Sequence, residues 1–436
     1  MNRKQVLAFL VSFFCVVAGP RPLSSQERPN ILLIISDDQR YDQGGDFMPI
    51  TQERIFNEGA SFKKAYITTP ACCPSRASIL TGLYASHHKV FTNLHFLKEK
   101  TFVEDLKQSG YYTGLVGKYL NTANGDPRPE FDYWASIEGG SVSYTNPRMN
   151  INGKWRREKG YVTDVFADQA ESFLDQALRQ DKPFFLMFSV RAPHFPAKPP
   201  AELEQMYHNL DLHHPPSFNE LDRSDKPNWL QARPLLSEAK QERIDQFFIK
   251  QLKCLWRLDE VIGEIVSQIE SHGELDNTVI FYLSDNGLMR GEHGLTSKDV
   301  PYEPAIRVPF ALRYPTLIPE PVTISDKIVS NIDIAPTIYD LAGIDPKRKL
   351  DGISLKKLLE GSEQWRQDLL IEGWRSADAR NPFAALHTGD AIFVLNQLDK
   401  PELYDLVQDP YQLENLALDE EHTAQVENMN GRLIQL

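Results

Sequence analysis

Cysteine is scarce in this chain, with four residues in 436, at positions 15, 72, 73 and 254. That excludes a disulfide-stapled scaffold, which packs several cysteine pairs into a short sequence. A zinc ribbon is excluded too, because the adjacent Cys72 and Cys73 have no second pair elsewhere. Positive charge is also short: 47 Lys and Arg stand against 60 Asp and Glu, a formal net charge of −13. So acidic a chain is not built to hold nucleic acid. Any anionic ligand must be drawn in by a local basic pocket and not by the overall field. There is no Asn-x-Ser/Thr acceptor, which favours a bacterial export compartment over a glycosylating pathway. Internal repeats and low-complexity tracts are missing, and the composition is that of a globular protein.

One apolar run stands out at the N-terminus, from Val6 to Ala18, behind Arg3 and Lys4 and ahead of a Pro/Ser-rich stretch. It is too short for a comfortable membrane span, and its charge order predicts a secretory signal over residues 1–26. An N-terminal anchor is the alternative. Cys15 lies inside the run without the small preceding residue of a lipid-attachment box. The expectation is an exported chain, periplasmic or secreted, of bacterial origin, with no stable membrane insertion.

The remaining length suits one large domain, read as 27–345, and a smaller one, 346–436. Three short apolar runs, 30–35, 183–190 and 278–283, each end abruptly in polar residues. Such runs read as central strands buried on both faces. Helical patterns at 163–179, 242–270 and 334–342 separate or follow them. Together they predict an α/β fold with a large, mostly parallel sheet sandwiched by helices, and a small C-terminal α+β subdomain. In such sheets ligands bind beyond the carboxyl ends of the strands. Asp37, Asp38, His194, Asp285 and Asn286 would therefore converge. Residues 210–229, rich in Pro, His and Asp, read as a surface excursion near that site.

Asp37, Asp38, Asp285 and Asn286 offer hard oxygen ligands, suited to Ca²⁺ or Mg²⁺; each pair alone also fits an ordinary cap or turn. Lys118 and Lys298 both follow Gly-containing turns and fit the several cations a tetrahedral anion needs. His194, set between prolines, is a rigidly aimed proton donor, and His293 has a similar claim. Cys72-Cys73-Pro74-Ser75-Arg76 opens a short helix that Gly82 closes. Its free N–H groups and Arg76 make an anion-binding end, at which a thiol is presented.

The run Cys72-x-Pro74-Ser75-Arg76-x-x-x-Leu80-Thr81-Gly82 resembles the signature of the formylglycine-dependent sulfatases of the alkaline phosphatase superfamily. The likeness extends to Asp37-Asp38, Gly117-Lys118, Ala192-Pro193-His194-x-Pro196, Ser284-Asp285-Asn286-Gly287 and Gly291-Glu292-His293-Gly294. It includes Glu402-Leu403-Tyr404-Asp405-Leu406 near the end. The resemblance implies an alkaline phosphatase-like fold and a maturation enzyme that oxidises Cys72, not Cys73, to formylglycine. A hydroxyl of the hydrated aldehyde attacks sulfur, with Ca²⁺ (ahead of Mg²⁺) and Arg76 stabilising it. Asp37, Asp38, Asp285, Asn286 and residue 72 hold the metal. Lys118 binds sulfate, His194 is the acid with Lys298 beside it, and the second hydroxyl expels sulfate from the covalent intermediate.

Many sulfatases carry a histidine two residues after the motif lysine, where this chain has Leu120. Gly117-Lys118-Tyr119-Leu120-Asn121 and the run from Pro215 to Glu220 resemble instead the N-acetylglucosamine-6-sulfatase branch. That implies a sulfated carbohydrate substrate, the 6-O-sulfate of glucosamine units in a glycosaminoglycan. The rivals are a sulfatase for another glycan, a phosphodiester or phosphonate hydrolase of the superfamily, and an unmatured glycan-binding protein without turnover.

Overall fold

The strand Asn30–Asp37 (β1) is buried throughout and apolar from Ile31 to Ile35, because both its faces are covered. Ile31, Leu33 and Ile35 point to one side, into a core shared with the helices Cys72–Thr81, Phe102–Gln108 and Ile334–Ala342. Leu32 and Ile34 point to the other, against the helices Val162–Ala177 and Glu238–Ser271. The two-residue alternation of a strand thus feeds two cores and makes a three-layer sandwich. The computed structural model describes residues 28–375 and 381–436. The leader expected over 1–26 lies outside the described residues.

Across the large sheet the order is β10 (Val322–Ser330), β2 (Ala60–Tyr66), β9 (Phe310–Arg313), β8 (Thr278–Ser284), β1, β7 (Phe184–Pro193), β3 (Tyr112–Gly117), β4 (Tyr133–Ser136), β5 (Arg148–Ile151) and β6 (Lys154–Arg157). The central strands β8, β1, β7, β3 and β4 all run parallel, and β10 is parallel to β2. β9 is antiparallel to both its neighbours, and β5 and β6 form an antiparallel edge.

Register brings the polar strand ends to one level. Ser36 pairs with Ser284, Asp37 with Pro193, and Gly117 with Ser189. The next residues on these strands are therefore Asp285, His194 and Lys118. The crevice at the carboxyl ends of a doubly wound sheet is where such folds bind ligands.

The second sheet is antiparallel, in the order β11 (Leu369–Gly373), β12 (Phe383–His387), β13 (Ala391–Asn396) and β14 (Glu402–Asp405). The helix Thr423–Leu433 packs on it through Met429 and Leu433. A third core, including Tyr302, Leu369, Ile371, Phe393 and Leu403, joins it to the loops beyond β8.

The long helix begins at Glu238, a turn before the pattern that starts at 242, because its first turn carries no apolar stripe. Residues 210–229 form turns and the start of a one-turn helix, Asn228–Gln231, and pair with the 291–293 segment through a bridge between Phe218 and Glu292. Among the described residues no helix is long and apolar enough to cross a membrane.

Candidate active site

Each site residue is set by the strand it follows. Asp37 closes β1, and Asp38 turns the chain at φ 68°, a left-handed conformation that Asp tolerates better than most residues. The turn lets the Asp38 N–H donate to Asp285 Oδ1 at 3.2 Å. Beyond β3, Gly117 has φ 102°, and a Cβ there would meet the Ser189 carbonyl oxygen at 1.9 Å. Only glycine permits that approach, after which the Lys118 N–H donates to the same Ser189 oxygen at 2.8 Å.

Cys72 opens the helix Cys72–Thr81, every residue of which is buried. Pro74 falls within the first turn, where no intrahelical N–H is required, and Gly82 ends the helix at φ 70°. Two asparagines seat the helix. Asn93 Oδ1 accepts the Cys73 N–H at 2.8 Å, and Asn331 Nδ2 donates to Ser75 Oγ at 2.9 Å. Neither stood out in the sequence: an isolated Asn in a polar loop carries no signal beyond a turn.

Each fixed cation has a nearest carboxylate, and Lys118 also lies 3.8 Å from Asp285 Oδ2. Arg76 Nε donates to Asp285 Oδ2 at 2.7 Å, Lys118 Nζ to Asp37 Oδ2 at 2.7 Å, and Lys298 Nζ to Asp38 Oδ1. Burial alone would raise the Asp37 carboxyl, but Lys118 and then His194 hold it well below its ordinary value. Burial would likewise raise Asp38, and Lys298 with His194 brings it down. Lys298 also lies 2.8 Å from Cys72 Sγ and 3.3 Å from Asn286 Oδ1. Cys72 Sγ is itself 3.5 Å from Asp37 Oδ1. Burial pushes the Cys72 thiol far up, although Lys118 and Lys298 oppose it. As a plain thiol, residue 72 is a poor nucleophile at neutral pH.

Ligand atoms of Asp37, Asp38, Cys72 and His194 all lie within 4.8 Å of one another. Asn286 joins them by donating from Nδ2 to Asp38 Oδ1 at 2.6 Å. Carboxylates and a side-chain amide make an oxygen-rich donor set, which fits a hard divalent cation. Arg76 Nη2 is buried with no partner among the described residues. Arg76 therefore keeps a donor in reserve for an oxygen that these residues do not supply.

His194 is the most open member. Its Nδ1 is 2.8 Å from the Phe195 carbonyl oxygen, which leaves Nε2 facing Asp38 Oδ2 at 3.6 Å. The 193–196 turn is braced from behind, where the Tyr144 hydroxyl donates to the His194 carbonyl and Arg191 stacks on the Tyr144 ring. His293 is placed apart from this cluster. It is buried, with Nδ1 2.6 Å from Glu220 Oε2 and its ring against Tyr302. Its pair with Glu220 ties the 210–229 excursion to the loop that leads to Lys298.

Above the cluster opens a cavity of about 590 Å³. Asp38 and Lys298 lie in its wall, with Phe195 and Phe247 in tilted contact at 5.7 Å. Its size is that of a small-molecule site, and Phe195, Ile244 and Phe247 give it an apolar patch.

Comparison with known proteins adds to this geometry. The family model "Sulfatase" matches residues 29–344, and "N-sulphoglucosamine sulphohydrolase, C-terminal" matches residues 291–436. The chain is 34% identical over 371 residues to the extracellular sulfatase SULF-1 homolog of Drosophila melanogaster, covering 80% of this chain and 33% of that protein. It spans about half the length of a Caenorhabditis elegans relative. To the N-acetylglucosamine-6-sulfatase of Homo sapiens it is 32% identical over 497 aligned positions, 99% of this chain and 87% of that protein. A solved structure, in complex with its substrate D-glucosamine-2-N,6-O-disulfate, superposes with a TM-score of 0.83. It is 26% identical and covers 94% of this chain and 97% of its own.

Proposed function

The chain belongs to the sulfatase family, and from that premise we propose that it hydrolyses a sulfate ester on a carbohydrate, the 6-O-sulfate of glucosamine or N-acetylglucosamine in a glycosaminoglycan. The observation that carries the reading is Cys72, held at the head of a buried helix between Lys298 and Asp37. The family implies formylglycine at that position and a divalent metal beside it. Similarity to an N-acetylglucosamine-6-sulfatase along nearly the whole chain supports the choice of sugar.

As formylglycine, residue 72 supplies a hydrated aldehyde whose hydroxyl is the nucleophile toward sulfur. Asp37, Asp38, Asp285, Asn286 and residue 72 would hold Ca²⁺, which when bound would supply charge stabilisation at that oxygen. The chain's own groups do the rest. Lys118 and Lys298 bind sulfate oxygens and bring positive charge to a largely buried site. Arg76 fixes Asp285 and directs its spare N–H at oxygen. His194, with Nδ1 tied to Phe195, presents Nε2 to protonate the departing alcohol. His293 acts through Glu220 as a brace for the Lys298 loop. Three cations already balance three carboxylates here, so a divalent metal leaves an excess of positive charge that suits an anionic ester.

We read residues 27–345 as the catalytic unit and 346–436 as a subdomain that supports its loops. The chain is exported, bacterial in origin, and matured by a formylglycine-generating enzyme. A panel of defined sulfated mono- and disaccharides tests the reading, run beside matched sulfated and phosphorylated aryl esters. Release of sulfate from C6 of glucosamine is the expected result, and preference for the phosphorylated ester would overturn it. Intact-peptide mass spectrometry over Cys72 is expected to show the aldehyde after co-expression with a maturation enzyme. An unmodified thiol would favour a glycan-binding role.

A further inference from the structure

The cavity above Cys72 is walled on one side by the first turns of the long helix. Lys240, Arg243, Ile244 and Phe247 line it, with Leu236 just before the helix and Phe195 opposite. Spacings of three, four and seven put these four helical residues on a single face. The face is apolar near Phe247 and cationic toward the helix start. Arg233 also lines the cavity and stacks on the Trp229 ring at 5.5 Å. Asp299 is the carboxylate on this side, and Asp38 is already engaged by Lys298.

Among the described residues neither Lys240 nor Arg243 has a carboxylate partner, and Arg243 Nε donates only to the Ala239 carbonyl, at 2.9 Å. Elsewhere on this helix cations are treated in more than one way, Lys250 having no ion pair among the described residues and Lys253 donating to the Glu204 carbonyl. Farther along the helix, Arg257 reaches Asp164, Glu260 and Glu264, and Glu270 takes Arg54. An isolated helix lysine is usually solvated surface. Two cations on one face, without a carboxylate partner among the described residues, in the wall of the cavity that Asp38 and Lys298 also line, in a chain of net charge −13, are placed for an anion.

We propose that Lys240 and Arg243 form a second-anion subsite, which reads a further negative group on the substrate beside the ester that is cleaved. That group is a second sulfate or a uronate carboxylate, both of which charged donors bind through oxygen pairs. The subsite rests on the reading of this chain as a carbohydrate sulfatase and makes the preferred substrate polyanionic. Arg243 can present a planar fork and Lys240 a mobile point charge. The subsite thus accepts anions of different shape while demanding that one be present.

Binding to the full chain carrying Cys72→Ala tests this without turnover, by calorimetry with three probes. They are glucosamine 6-sulfate, glucosamine 2-N,6-O-disulfate, and 6-sulfated glucosamine joined to a uronate. The expected result is tighter binding of at least one dianionic probe by tenfold or more, with the advantage shrinking as salt rises. Which of the two gains identifies the anion read. Adding Lys240→Gln and Arg243→Gln is expected to bring the advantage to within twofold, with an unchanged melting temperature. Equal binding of all three probes, or an advantage that survives both substitutions, would overturn the subsite. Turnover of the 6-sulfate by the matured Cys72 protein is scored separately. If it fails while the binding preference holds, the hydrolytic reading falls and the subsite stands.

Discussion

The buried cluster that underlies the cavity as its floor, reaching it through Asp38 and Lys298, and the cavity's rim handle positive charge in opposite ways. On the floor each cation has a nearest carboxylate, Arg76 with Asp285, Lys118 with Asp37 and Lys298 with Asp38, and all six side chains are largely or wholly buried. On the rim Lys240 and Arg243 are exposed and have no ion pair among the described residues. Dehydrated, paired charges cannot be altered singly, because the survivor is left stranded in the interior. Hydrated rim charges can be altered at little structural cost. On the proposed reading, the difference separates residues that perform chemistry from residues that choose what is presented to it.

The widest gap should appear between two adjacent cysteines on the floor. Cys72→Ala is expected to lower turnover by a factor on the order of 10⁴ or more while the thermal melt hardly moves. Cys73→Ala, which removes only buried packing and a weak contact to the His95 carbonyl, should keep turnover and lose roughly 1 kcal/mol. Rates on 6-sulfated glucosamine with parallel melts decide it, and equal loss from both would end the distinct assignment of Cys72. Asp285→Ala should come next. It strands Arg76 at complete burial, so urea unfolding should show a loss of about 3–5 kcal/mol, and elemental analysis a loss of bound metal. Metal retained at full occupancy would remove Asp285 from the ligand set.

Behind the floor the same logic reaches His88, whose Nε2 lies 3.0 Å from Ser78 Oγ in the Cys72 helix. Its Nδ1 accepts the Val90 N–H, and burial holds its pKa down to about 3. The unfolded chain binds this proton below about pH 6.5, whereas the folded chain does not until about pH 3. Its contribution is therefore complete above pH 6.5 and fades as pH falls toward 3, by a few kcal/mol at most. His88→Gln should flatten the stability curve in that window, and an unchanged slope would show that other groups govern it. Asn93→Ala should cost about 1 kcal/mol through the lost acceptor at the helix start, and lower turnover more than Cys73→Ala does. The smallest effect belongs to the rim, where Lys240→Gln with Arg243→Gln should change unfolding free energy by less than about 0.5 kcal/mol. A loss as large as that of Asp285→Ala would erase the contrast between floor and rim.

Sequence alone reaches the floor better than the rim for a physical reason. β1, β7 and β8 are buried on both faces, so they show as apolar runs, and the polar residue after each run marks a strand end. Asp37, His194 and Asp285 are found that way. Lys118 follows a glycine that the backbone requires. β6, reading Lys-Trp-Arg-Arg, sits at an exposed edge and carries no such pattern. β9 has only four residues, and nothing local sets its direction between two strands. Asn93 and Asn331 act through single hydrogen bonds fixed by tertiary packing. Lys240 and Arg243 look like any solvated helix cations until the opposite wall of the cavity is in place.

The helix Glu238–Ser271 has 34 residues, a rod about 50 Å long. No residue before Phe248 is buried, while Leu252 to Ile269 carry its buried apolar stripe. It is clamped in the core at one end, while the other overhangs the cavity and is propped from one side by the pairs of Asp245 with His214 and Arg290. Substitutions on the overhang alter what a substrate meets without loosening the clamp. The first turns of the rod can therefore be changed without touching the buried stripe that holds the rest of it.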